Sequence, residues 1–203
     1  MPKIVDHEQR RRRLVEAVWA LAARGGLDRV TLRAVADEAG VSMGQVQHYY
    51  ASMGDLLRDA LDRAVRAVHA TVERAIVAAG AAGQAGEADP ETVLRACLHA
   101  LVTPDEEGRR LARFSLAVAG RAVADPEAAR VLAPVDGELL SFTAELIAAV
   151  RPGPDDPAAT RLDADTCWSL ATALGVDVAL GHRSPEAAAA LLDHHLARLL
   201  SRP

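Results

Sequence analysis

Residues 27–61 read LDRVTLRAVADEAGVSMGQVQHYYASMGDLLRDAL, and the rest of the chain is best understood outward from them. One continuous amphipathic helix cannot run through this stretch. Ala39-Gly40-Val41-Ser42 interrupts the helical period with a glycine suited to a left-handed turn, which leaves two short helices between Leu27 and Tyr50. Thr31 is placed to cap the first. Ser42 is placed to cap the second, and Gln45, three residues on, completes a capping-box pattern. A further start signal stands at Ser52-Met53-Gly54-Asp55. Beyond it Leu57, Leu61, Ala64, Val68 and Val72 mark one face of a long helix predicted to reach about Ala79.

Upstream, Leu14, Val18, Leu21 and Ala22 share one face of a helix predicted from Asp6 to Arg24, ended by Gly25-Gly26, with Trp19 off the centre of that stripe. Downstream, GAAGQAGEADP (80–90) reads as a loop. Helical blocks are then predicted over 91–103, 105–124, 134–151 and 163–181. In the third of these, Val135, Leu139, Phe142, Leu146 and Val150 fall on one face. A last helix opens at Ser184-Pro185, cap and first-turn proline in order, with Leu192, Leu196 and Leu199 as its stripe. Strand-like alternation is nearly absent and alanine abounds, so the predicted fold is all-α with about nine helices.

The chain has 203 residues, 23 basic and 28 acidic, for a net charge of -5; half of it is hydrophobic. That balance excludes a disordered chain and is ample for a full core. Residues 1–60 carry nine basic side chains and eight acidic ones, so the acidic excess lies in the remainder. A negative total argues against non-specific coating of nucleic acid but leaves a local contact face open. No apolar run is long enough for a membrane helix and the N-terminus is charged, which predicts a cytoplasmic protein with no membrane partner. Cys97 and Cys167 lack the spacing of a zinc or redox pair, and two reduced, buried thiols are expected.

Two short helices around a glycine turn, between an amphipathic helix and a long one, make a helix-turn-helix in a three-helix head. The residues themselves resemble the signature of TetR-type transcriptional regulators: Thr31-Leu32-Arg33, Ala39-Gly40-Val41-Ser42, His48-Tyr49-Tyr50 and Ser52 to Leu57, within about residues 8–60. More weakly, DEEGRRLARFSLAVAGRAVADPEAA and LLDHHLARLL are similar to the ligand-binding half of regulators grouped with the betaine-responsive repressor. The resemblance implies a homodimeric repressor that leaves a palindromic double-stranded DNA operator when a small-molecule effector binds. It implies a DNA-binding head (1–55), a ligand-binding and dimerisation body (56–203), and no enzymatic activity, cofactor or metal.

On that reading the second short helix enters the major groove. Two uses compete for Gln45, a bidentate contact to adenine or the cap on Ser42. Met43 and Gly44 allow close approach and contact with a thymine methyl. The family matches place Arg33 at base or phosphate; Thr31 can cap and also touch a phosphate, and Tyr49 offers its hydroxyl. Tyr50, Val46, Val35 and Ala36 are expected inside the head. The DNA-facing set is thus Thr31, Arg33, Ser42, Met43, Gly44, Gln45, Gln47, His48, Tyr49 and Met53. The chain departs from the family twice, at Gln47, where a tyrosine is common, and at Met53, where a lysine is. The run Arg10–Arg13 is expected to offset these losses in part, although on a helix at most two of the four can face DNA.

For the body no motif selects a site. Its few aromatics predict an aliphatic cavity and not an aromatic cage for a quaternary amine. Candidate ligand residues are His69, His99, Arg113, Phe114, Ser115, Phe142, Trp168 and Asp177. Cys97 and His99 diverge by about 200° on a helix and form no nucleophile-base pair. His182, Asp193, His194 and His195 are a weak metal set, because neighbouring residues point apart. The dimer face is expected at Leu170, Leu174, Val178, Leu192, Leu196 and Leu199, residues that could instead close the monomer's own core, or the two uses can share opposite sides of the same helices. Two other classes compete with the regulator: a helical protein-interaction module without DNA, and a small all-α enzyme, for which no catalytic signature is present.

Overall fold

The computed structural model describes residues 2–82, 89–123, 137–151 and 156–201. These form nine α-helices and one short 3-10 turn at Leu27–Arg29, with no strand among the described residues. The helices are α1 (Pro2–Gly25), α2 (Leu32–Ala39), α3 (Met43–Tyr49), α4 (Met53–Ala82), α5 (Pro90–Val102), α6 (Glu106–Ala122), α7 (Gly137–Val150), α8 (Pro157–Leu180) and α9 (Pro185–Leu200). The all-α expectation stands.

Helix boundaries follow local chemistry. Thr31 Oγ1 accepts from the Ala34 amide at 3.1 Å and opens α2. Gly40, at φ 64°, ends α2 in the left-handed conformation that an L side chain adopts at a cost. Helix α8 starts six residues before the predicted 163. Asp156 caps it through the amides of Ala158 and Ala159, and Pro157 fills the first turn, where a missing N–H costs nothing. The same Asp-Pro device, Asp89-Pro90, opens α5. Helix α4 continues past the predicted end to Ala82, so the expected loop at 80–90 loses its first three residues to the helix, and residues 83–88 lie outside the described ones. Of the predicted block 134–151, residues 134–136, with Val135, also lie outside them.

Two compact units account for the described chain: residues up to Ala67 with Arg110 to Val123, and Val68–Arg109 with the residues from Gly137 on. The first unit therefore runs past the expected head boundary at residue 55. It does so because Leu56, Ala60, Leu61 and Ala64 of α4, with Leu111, Phe114 and Val118 of α6, are buried in one core with Leu14, Val15, Val18, Val35, Val46 and Tyr50. Trp19, off the predicted stripe, is 5% exposed in this core. Its indole N–H donates to the Ala60 carbonyl at 3.0 Å, the partner that lets an indole be buried there.

The second unit packs α5, α7, α8 and α9 around Leu94, Leu98, Ile147, Cys167, Trp168, Leu174 and Leu192, with Val72 of α4. Gly175 sets how closely α8 crosses α5. A Cβ there would lie 2.4 Å from the Leu101 carbonyl oxygen, so only glycine fits. Thr143, fully buried, donates to the Leu139 carbonyl and accepts from the Trp168 indole at 2.9 Å, which satisfies both polar groups inside the core.

Candidate nucleic-acid interface

Helix α3 is seven residues long and keeps one of them, Val46, fully buried. Met43, Gly44, Gln45, Gln47 and His48 are exposed and Tyr49 is half-buried. A helix this short has little stability of its own, so its ends must be fixed. Ser42 Oγ accepts from the Gln45 amide at 3.3 Å, and the Ser42 amide donates to Gln45 Oε1 at 3.1 Å. Of the two uses weighed for Gln45, the cap is thus made in the free protein. Its amide NH2 stays available, because only the carbonyl oxygen takes part. At Gly44 the nearest side-chain atom to an added Cβ is Ser42 Oγ at 4.0 Å, so glycine leaves an open surface there.

Tyr49 is held from the side. Its hydroxyl is 3.0 Å from His7 Nδ1, and the His7 and His48 rings meet its ring edge-on at 5.7 and 5.1 Å. His7 was absent from the sequence-derived set; it is 42 residues away from Tyr49 and no local pattern marks it. Behind the surface, Tyr50 donates to Asp59 at 2.5 Å, Asp59 pairs with Arg63 at 3.0 Å, and Arg63 reaches Glu8 at 2.6 Å. This chain joins α3, α4 and α1. Burial, and then the hydrogen bond to Asp59, raise the Tyr50 phenol above its ordinary range, so it remains a donor. The hydrogen bond from Arg63 holds the Glu8 carboxyl below its usual value.

The arginine run divides by helical geometry. Arg11 lies over the Tyr50 ring, 5.4 Å from its centroid, and Arg12 pairs with Glu16 at 2.9 Å. Arg10 and Arg13, three residues apart and so on one face, line a cleft of about 200 Å³. Leu14, the turn residues Gly40 and Val41, and Gln45 and Tyr49 of α3 complete its walls. Arg33 and Thr31 are exposed at the start of α2. Met53 is half-buried and packs against the head core, so this side chain serves apolar packing.

The body candidates find other partners. Phe114 is fully buried in the core of the first unit, among Leu111 and Val118, where it cannot line a chamber. Trp168 is held in the second core by Thr143. Asp177 is drawn to the end of its helix by Arg183 at 3.3 Å and His182 at 3.8 Å. His99 Nε2 lies 2.9 Å from Asp193, which also accepts from Arg95 at 2.8 Å. His69, Ser115 and Phe142 are half-buried and Arg113 is exposed. Of the expected dimer face, Leu174, Val178, Leu192, Leu196 and Leu199 are buried in the chain's own core, and Leu170 packs against it half-buried. The large apolar side chains exposed on α8 and α9 are Leu162, Leu180 and Leu191. Burial pushes both thiols, Cys97 and Cys167, up to about 12, so neither is a thiolate near neutrality. Among the described residues no three metal-ligating side chains converge, and no helix is long and apolar enough to cross a membrane.

Comparison with known proteins agrees with this geometry. Residues 14–60 match the family model for bacterial regulatory proteins of the tetR family. The HTH-type transcriptional regulator PksA of Bacillus subtilis (strain 168) is 39% identical over 61 residues, 30% of this chain and 30% of its own length. The chain thus spans about a third of that relative. A transcriptional regulator from Rhodococcus sp. RHA1 superposes with a TM-score of 0.76 at 23% identity, covering 95% of this chain and 99% of that one. A Saccharomonospora viridis protein solved in complex with choline gives 0.73 at 19% identity, over 97% and 100% of the two chains. At these identities the solved structures establish the fold. The model for the C-terminal domain of BetI-type transcriptional repressors matches residues 90–201, more than half the length, and the chain accordingly belongs to the TetR family of bacterial transcriptional regulators, with a body of the BetI type.

Proposed function

We propose that the protein is a sequence-specific DNA-binding repressor that acts as a homodimer and leaves a palindromic operator when a small molecule binds its body. One observation carries this reading. Helix α3 is anchored by a single buried residue, Val46, and both its ends are tied by side-chain and backbone bonds, while five of its seven residues lie open to solvent. A helix so exposed and so firmly placed is fit to enter a major groove, where base edges offer distinguishable donors, acceptors and methyl groups. Gln45, with its free NH2 group, and Met43 are its readers; Arg33, Thr31 and Tyr49 hold the phosphates. Gln47 and His48, also exposed, flank them.

Dimerisation is assigned to the outer faces of α8 and α9, where Leu162, Leu180 and Leu191 are exposed, and not to the inner leucines that already form the core. A twofold pair would set the two α3 helices about 34–36 Å apart, or a multiple of it. For the effector, the choline found in the Saccharomonospora viridis protein does not transfer to this chain. A cage for a quaternary amine needs several aromatic faces, and with Phe114 and Trp168 committed to cores only Phe142 is left to the body. An aliphatic effector fits the composition of the body better.

The test is selection of bound duplexes from a random pool, followed by sequencing. A palindromic consensus is expected, and its half-site spacing reports the dimer. Failure to enrich any sequence even at low salt would overturn the reading.

A further inference from the structure

We infer that the cleft between α1 and the helix-turn-helix seats a phosphate of the duplex backbone, gripped by Arg10 and Arg13. This inference rests on the DNA-binding reading above. Four arginines stand in succession, and the two that line the cleft are Arg10 and Arg13, whereas Arg11 lies over Tyr50 and Arg12 pairs with Glu16. The opposite wall is α3 itself, through Gln45 and Tyr49, and none of the seven lining residues is acidic.

Size and chemistry agree on the occupant. At about 200 Å³ the cleft is smaller than the roughly 300–1,000 Å³ of pockets that enclose drug-sized ligands. Two guanidinium groups and a phenolic hydroxyl suit the oxygens of a single phosphate, and guanidinium forks match those oxygens two at a time. The turn contributes Gly40 and Val41, one of which carries no side chain, so the approach is unobstructed from that side. Because the cleft borders Gln45, a phosphate held there fixes the register of the recognition helix against the bases. Arg10 and Arg13 are then positioning residues for base readout, and they carry no sequence information of their own.

The experiment compares operator affinity across a salt series for the full-length protein, Arg10→Gln, Arg13→Gln, the double variant, and Arg12→Gln as the control outside the cleft. Each phosphate neutralised contributes about -0.9 to the slope of log affinity against log salt. The double variant is expected to make that slope shallower by about 0.9, to weaken all operator variants alike and to leave the selected consensus unchanged. Arg12→Gln should keep the full slope, and melting curves should show all variants folded. A double variant with an unchanged slope, or a loss confined to one base pair, would overturn this inference while the regulator reading stands. If the unsubstituted protein bound no duplex at all, both would fall together.

Discussion

The head and the body treat their polar side chains in opposite ways. In the head, Gln45, Gln47, His48, Arg33 and Arg13 end at the surface, while the groups that fix them (Ser42, Thr31, the Tyr50–Asp59–Arg63–Glu8 chain) lie beside or behind them. In the body, His99, Asp177 and Trp168 are already paired. Asp193 takes His99 and Arg95, Asp177 takes Arg183, and Thr143 takes Trp168. A surface meant for DNA can leave donors to water at little cost, whereas a buried donor such as the Trp168 indole pays a desolvation penalty unless it pairs. The comparison teaches that a polar residue between helices is weak evidence of a ligand site, and that an exposed polar residue on a firmly capped helix is stronger evidence of a contact.

The largest effect that could break this comparison is at Phe114. Phe114→Ala removes a fully buried ring from the first core and is expected to cost about 3–5 kcal/mol in thermal or denaturant unfolding. A chamber-lining residue would lose under about 1 kcal/mol, with the effect appearing in effector affinity instead. In the head the sharpest probe is Gln45→Glu. The carboxylate still accepts the Ser42 amide, so stability should stay within about 0.5 kcal/mol, while operator affinity falls by about 1–3 kcal/mol through the lost NH2 donor. An unchanged consensus would reduce Gln45 to a cap.

A smaller effect tests the body's pairing. The hydrogen bond from His99, with Arg95 adding to it, holds the Asp193 carboxyl below its ordinary 3.8. A carboxyl depressed in the folded state stabilises fully above its unfolded value, and that contribution is lost as pH falls through the lower folded one. Asp193 is half-exposed, so Asp193→Asn should cost less than about 1 kcal/mol at neutral pH. The difference from the unsubstituted protein should close below pH 3.8 in urea melts. A gap that persists in acid would show that the loss is one of packing.

How much of this could be read from sequence follows from the same physics. Caps and turns are local, so Thr31, Gly40, Ser42 and Ser184 announce their helices within four residues. The Asp156-Pro157 start carries the same signal, but the loop-like run RPGPDDP around it masks it. Tertiary partnerships are not local. Nothing near His7 points to Tyr49, and Asp193 is 94 residues from His99. Of the stripes on which the dimer face is expected, Leu170-Leu174-Val178 and Leu192-Leu196-Leu199, the leucines and Val178 turn to the chain's own core, the alternative that the sequence leaves open. The single leucines left outside on α8 and α9 are too scattered to stand out in sequence.

The smallest expected effect lies at Met53, where the two logics meet in one side chain. The family resemblance implies a phosphate-contacting lysine there, whereas this methionine packs half-buried on the head core at the first position of α4. A lysine has the same reach with an apolar stem, so in Met53→Lys the stem can keep the packing while the ammonium extends to water. Stability should therefore change by less than about 0.5 kcal/mol, and the salt slope of operator binding should steepen by about 0.9 as one more phosphate is neutralised. If Arg10 and Arg13 already hold the phosphate that the lysine would reach, the slope stays as it was in the unsubstituted background and steepens only when both arginines are replaced by glutamine. Combining the three substitutions thus separates a contact that was moved from one that was lost, because only a moved contact makes the lysine and the arginine pair redundant.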